Sequence, residues 1–182
     1  MTLTEAFSGV KDPRRSQGLR TDLDQILYMV IISYLCGYTG YREIGKFCSS
    51  YSDLFIKELS LRHGIPSYVT FRQVLTHVSD SELIKGFNKW SEFYVPLSKE
   101  SWVSGDGKVL GSTVVNPNGK GQDFQAVVSM FCQESGLVRS IKDYRNKTKK
   151  TGEANVARFL IEQLTDMGIT FTLDALHTQK ND

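Results

Sequence analysis

Two aspartates offer the most direct chemistry in this sequence. Asp106 lies in Ser101 to Thr113, SWVSGDGKVLGST, where an apolar run brings one acid between two glycines, with Lys108 close behind. Asp174 ends a second β-prone run, Ile169 to Thr178, ITFTLDALHT. An ionised carboxylate placed in such a run is costly to bury unless a cation, a hydrogen-bond donor or water compensates it. The Gly105-Asp106-Gly107 triplet leaves room for a second backbone or a ligand to come close. The same three residues also fit the turn of a β-hairpin, and that alternative stays open on this stretch alone. Two strands that each deliver one acid make a pair of carboxylates only if the strands are neighbours, so the rest of the sequence must say how they are positioned.

After Ser98 the pattern is that of strands. Trp102 to Val109, Ala126 to Gln133 and Val138 to Tyr144 are β-prone runs parted by Asn116-Pro117-Asn118-Gly119 and Glu134-Ser135-Gly136, which predicts a three-stranded antiparallel meander. A helix over Glu153 to Met167 and a strand over Ile169 to Asp174 follow. A strand returning after a helical crossover lies parallel to one of the first three, and if that is the first, Asp106 and Asp174 stand side by side.

Before Ser98 the pattern is helical. Predicted helices cover Leu23 to Cys36, Tyr41 to Ser49, Asp53 to Leu61, Thr70 to Val78 and Ser81 to Tyr94, with Gly37, Gly64-Ile65-Pro66-Ser67 and Pro96 as breakers. Residues 1 to 22 read as loop. The short helices on either side of Gly64-Ile65-Pro66-Ser67 can resemble a helix-turn-helix with Arg72 and Gln73 as contacts, although plain helix packing gives the same pattern. The expected architecture is α+β: an all-helical domain over 1–98 and an α/β domain over 99–182, the latter a meander, a helix and a parallel strand.

Composition narrows the classes. The 182 residues are 40% hydrophobic and 23% charged, which suits a folded globular chain rather than a disordered one. Formal charge is only +2, so a nucleic-acid reading depends on where cations cluster. Arg139, Lys142, Arg145, Lys147, Lys149 and Lys150 stand against the single acid Asp143, and Arg14, Arg15 and Arg20 form a smaller group. Cys36, Cys48 and Cys132 have no zinc-site spacing and fit a reducing compartment. Neither a signal peptide nor a span of the roughly 20 apolar residues that cross a bilayer is visible, so the expected location is cytoplasmic.

Taken together, several stretches resemble the ISAs1 family of bacterial insertion-sequence transposases, related to the H-repeat-associated proteins. They are Asp12-Pro13-Arg14-Arg15-Ser16-Gln17-Gly18, Gly40-Tyr41-Arg42-Glu43-Ile44 with Tyr41 in place of the family's tryptophan, Gly64-Ile65-Pro66-Ser67 with Thr70-Phe71-Arg72, Gly105-Asp106-Gly107-Lys108, and Asp174-Ala175-Leu176-His177-Thr178-Gln179. The resemblance implies a helical domain followed by an RNase H-like catalytic domain whose DDE triad binds two Mg²⁺ or Mn²⁺ ions. Asp106 and Asp174 would be its first two acids and metal ligands. The third acid, a glutamate in the family, is expected in a later helix that this chain lacks, so the reading is of a truncated copy inactive on its own. Glu153 precedes the second acid and does not take that place. Implied partners are double-stranded DNA at insertion-sequence ends and either a second copy or a full-length transposase, with nucleoid association when bound to DNA. Candidate phosphate contacts are Arg14, Arg15, Arg20, Lys108, Arg145, Lys147, Lys149, Lys150 and Lys180. His177 would stand near the metals. The competing class is a non-catalytic remnant that binds DNA or an intact transposase.

Overall fold

The computed structural model describes residues 1–17, 19–115, 123–145, 152–164 and 168–174. These form an α+β chain that divides into two compact units, Met1–Trp90 and Ser91–Asp182.

The first unit is helical: α1 (Leu3–Phe7), α2 (Leu23–Leu35), α3 (Tyr41–Ser50), α4 (Ser52–Leu59), α5 (Tyr68–His77) and most of α6 (Asp80–Tyr94). Helix α1 corrects the loop expected over residues 1 to 22. Its signal is a Thr2-Leu3-Thr4-Glu5 capping box, in which Glu5 N–H donates to Thr2 Oγ1 at 3.2 Å and Thr2 N–H donates to Glu5 Oε2 at 2.7 Å. A helix this short holds through its packing, and Ala6 and Phe7 are buried. Helix α2 is apolar on most of its circumference and supplies Ile26, Leu27, Met29 and Val30 to the core, which Ile44, Cys48, Phe55, Phe71 and Val74 complete. It ends at Gly37, whose φ of +87° closes the last turn as Tyr38 N–H donates to Ser33 O. Among the described residues no helix is long and apolar enough to cross a membrane.

The second unit is built on a mixed sheet of order β3-β2-β1-β4, made of β1 (Trp102–Val109), β2 (Gln125–Cys132), β3 (Leu137–Arg145) and β4 (Thr170–Leu173). Pairs β1–β2 and β2–β3 are antiparallel and β1–β4 is parallel, as the strand pattern predicts. Helix α7 (Glu153–Glu162) covers one face, where Val156, Ala157 and Leu160 meet Val103, Ala126, Val128, Met130 and Tyr144. Its helical segment ends before the Met167 expected from sequence. Gly105-Asp106-Gly107 lies within β1 and is paired with Met130, Ser129 and Val128, so the hairpin-turn alternative is excluded.

Candidate functional site

Side chains alternate across a strand, and β1 alternates about the α7 face. Val103 and Gly105 are buried on that face, whereas Asp106 and Lys108 are exposed and belong to the opposite one. Strand β4 follows the same rule. Phe171 packs on the α7-side core, and Leu173 lies over Gly105, with its Cδ2 2.6 Å from where a Gly105 Cβ would stand. On the other face Ser104 Oγ and Thr172 Oγ1 are 2.8 Å apart, and Gln133 Nε2 donates to Ser104 Oγ at 2.7 Å.

This hydroxyl pair gives the parallel register a chemical consequence. Ser104 pairs with Thr172 and Gly105 with Leu173, so Asp106 and Asp174 each follow the last pair by one residue. Both are exposed, and Asp106 shares the face of Ser104. Neighbouring strands lie about 4.8 Å apart, so the two acids follow adjacent backbone positions. Carboxylate oxygens are the hard donors that Mg²⁺ and Mn²⁺ favour. Among the described residues no group of three or more His, Cys, Asp or Glu side chains is placed to hold a metal. Two carboxylates are still enough for Mg²⁺, which keeps several waters and commonly takes further ligands from substrate phosphates. The donor set therefore fits such an ion.

The glycines beside Asp106 are explained by the other face. A Cβ on Gly105 would meet Leu173 and also Met130 Sδ at 3.2 Å. A Cβ on Gly107 would lie 2.8 Å from Glu153 Cγ and closer still to its carboxylate. Close approach to these positions is thus made by packing on the α7 side rather than by a ligand to Asp106. Glu153 also lies near Tyr144, whose phenol is held above its ordinary value first by burial and then by the Glu153 charge. Sequence reasoning had no means to place Glu153 at Gly107, because the contact joins residues far apart in the chain.

The candidate phosphate contacts are dispersed. Lys108 is exposed on the face of Asp106. Arg145 is exposed at the end of β3 and lines a small cavity with Asp123. Arg15 and Arg20 are exposed, whereas the Arg14 guanidinium is nearly buried, bonded through Nε and Nη2 to Asp12 and donating to Thr21 O at 2.8 Å. That hydrogen-bonded pair holds the Asp12 carboxyl below its ordinary value. Lys147, Lys149, Lys150, His177 and Lys180 lie outside the described residues. Two cations counted in the basic stretch are engaged within the fold. Arg139 is buried and pairs with Glu92 at 3.1 Å, and Lys142 Nζ sits 4.1 Å from the centre of the Phe159 ring.

Comparison with known proteins bears on both units. Residues 4–91 match the DDE_Tnp_1-associated family model. The chain is 22% identical over 179 residues to the "H repeat-associated putative transposase YhhI" of Escherichia coli (strain K12), covering 98% of this chain and 46% of that protein. It is 23% identical over 181 residues to the "Putative transposase YncI" of Escherichia coli O157:H7, covering 99% of this chain and 45% of that one. The chain thus spans about half the length of these curated relatives.

Proposed function

We propose that this chain, a relative of insertion-sequence transposases, carries the helical domain and the first two catalytic acids of an ISAs1-type DDE transposase that cuts and joins double-stranded DNA at the ends of its element. The observation that supports the reading is the parallel register of β1 and β4, whose last pair, Gly105 with Leu173, comes one residue before Asp106 and Asp174. A meander followed by a strand parallel to its first member supports an RNase H-like second unit. In this reading a third acid comes from sequence beyond these residues, and DNA, a second copy of the chain and a cytoplasmic, nucleoid-associated location are its setting.

Asp106 and Asp174 would hold Mg²⁺ or Mn²⁺. Two such ions supply an activated water or 3′-hydroxyl and neutralise charge on the leaving oxygen. The chain's own contribution is placement. The sheet holds Asp106 by its pairing with Ser129 and holds the residue before Asp174 by the pairing of Gly105 with Leu173, and the Ser104–Thr172 hydroxyl pair ties the preceding step of the ladder. Lys108, two residues beyond Asp106 on the same face, offers a cation to a phosphate oxygen.

The test is Mn²⁺ binding to the purified chain, followed by electron paramagnetic resonance. Asp106→Asn and Asp174→Asn should each weaken binding roughly tenfold or more, the scale set by losing a charged ligand worth about 1.5–3 kcal/mol. Circular dichroism should stay unchanged. A double Asn variant that binds Mn²⁺ as well as the parent would remove the metal assignment.

A further inference from the structure

Helix α5 presents a face that the first unit's core leaves unused. Phe71 and Val74 are buried, while Arg72, Gln73, Thr76 and His77 are exposed along one side, behind Tyr68 and Val69. The helix, YVTFRQVLTH, contains no acid. Thr76 Oγ1 donates back to Arg72 O at 2.8 Å, and His77 Nδ1 lies 2.9 Å from Gln73 O, so these two side chains are turned onto the helix. The side chains of Arg72 and Gln73 reach outward without a hydrogen-bond partner among the described residues.

The approach to this helix is basic on two sides. A cavity of about 340 Å³ is lined by Arg14, Arg20, His63 and Thr70, and a groove of about 660 Å³ by Arg42, Lys46 and Tyr68. They share Pro66 and Ser67, and neither lining contains an acid. Asp12 neutralises Arg14, so the cations without an ion-pair partner among the described residues are Arg20 on one flank and Arg42 with Lys46 on the other. The Arg42 guanidinium stacks 5.4 Å from the Tyr68 ring centre, which orients it toward the same end of α5.

We propose that α5 is a DNA-reading helix, which enters the major groove of a duplex with Arg72 and Gln73 at base edges while Arg20 on one flank and Arg42 and Lys46 on the other grip phosphates. The inference rests on the DNA-directed reading above and adds where the duplex is read. Charge complementarity selects the occupant: an acid-free helix flanked by cations suits a polyanion. Its exposed apolar residues, Tyr68 and Val69, are confined to the first turn, and the rest of the exposed face, Arg72, Gln73, Thr76 and His77, is polar. Single-stranded nucleic acid would call for open stacking platforms, and one face of the Tyr68 ring is taken by Arg42. Arginine and glutamine are the side chains that pair bidentately with guanine and adenine in the major groove, which is about 12 Å wide and admits one helix. The arrangement is not a short-turn helix-turn-helix, because residues 60–67 intervene between α4 and α5.

The test uses the full chain, a randomised duplex pool and fluorescence anisotropy. The parent should enrich a preferred sequence. R72A/Q73A should lose that preference over random duplex roughly tenfold or more, while R42A/K46A should flatten the slope of log K against log salt by about 1.8, at ~0.9 per phosphate. Lys57→Ala, on the exposed side of α4, should match the parent. Duplex binding by the parent with no enriched sequence, an unchanged preference in R72A/Q73A, or an unchanged salt slope in R42A/K46A overturns the inference and leaves the acidic site standing. A parent that binds no duplex at all overturns the DNA-directed reading with it.

Discussion

Gly107→Ala tests how the face behind Asp106 is built. On local grounds the change should help a strand, since Gly in an element interior costs roughly 0.5–1 kcal/mol relative to Ala. The new methyl would instead fall 2.8 Å from Glu153 Cγ and nearer to the carboxylate, well inside van der Waals contact. Glu153 opens α7, whose next turns hold Val156, Ala157 and Leu160 in the core, so its side chain must leave its rotamer or the first turn must lift from the sheet. The atoms that must give belong to the end of a flexible, half-buried side chain, so the cost is that of an off-rotamer χ, about 0.5–1.5 kcal/mol, which offsets the propensity gain and leaves a net loss of at most about 1 kcal/mol. A unit of this size should then lose roughly 4–8 °C of Tm per kcal/mol. The decisive measurement is a double-mutant cycle by urea denaturation over parent, G107A, E153A and G107A/E153A. Removing the Glu153 side chain should make G107A nearly neutral or slightly stabilising, with a coupling energy of about 1 kcal/mol. Additivity of the two changes within about 0.5 kcal/mol would refute the contact as the reason for glycine at this position.

Two further outcomes follow from the first unit. Gly86→Ala should destabilise by about 1–2 kcal/mol even though α6 gains propensity, because the added Cβ would stand 2.7 Å from Phe7 Cδ1 and 3.0 Å from Ala6 O; a rise in Tm would mean that α1 does not pack there. Asp12 has a carboxyl held below its ordinary 3.8 by the Arg14 hydrogen bonds, so the pair's stabilisation is complete above that value and is lost as pH falls from it through the lowered one. Asp12→Asn should therefore reduce the stability difference between neutral pH and pH ~3. A variant whose stability falls with pH as steeply as the parent's would show that the pair contributes nothing.

Where local pattern and packing agreed, the fold was legible in the sequence. The meander and the return of β4 beside β1 followed from β-prone runs and a single crossover helix, and the five longer helices of the first unit lie within two residues or so of their expected bounds. Helix α1 was missed because Asp12-Pro13 and the arginines dominate the reading of the first 22 residues, although its Thr2–Glu5 capping box was there to be found. The basic stretch misled for a different reason. Arg139 pairs through Nη2 with Glu92 while its buried Nε has no hydrogen-bond partner among the described residues, and Lys142 lies over the Phe159 ring; these partners are distant in sequence, and a charge count cannot tell a solvated cation from one used in packing. The same limit applies to Gly105 and Gly107, whose neighbours belong to β4, β2 and α7.

The placement of the two acids depends on a register that their neighbours enforce. A slip of β4 by one residue against β1 would turn its side chains to the opposite faces. Leu173 would leave Gly105 for the polar face, forfeiting part of the roughly 1.5–3 kcal/mol that full burial of a leucine is worth. Thr172 would lose Ser104 and bring its hydroxyl toward the α7 core, at about 1–3 kcal/mol if left unpaired. Each alternative opposes the slip, so the leucine that needs Gly105 and the threonine that needs Ser104 together hold the register that Asp106 and Asp174 follow. The residues that build the pair are therefore mostly uncharged, and a substitution at Gly105 or Leu173 should disturb the acids without touching either carboxylate.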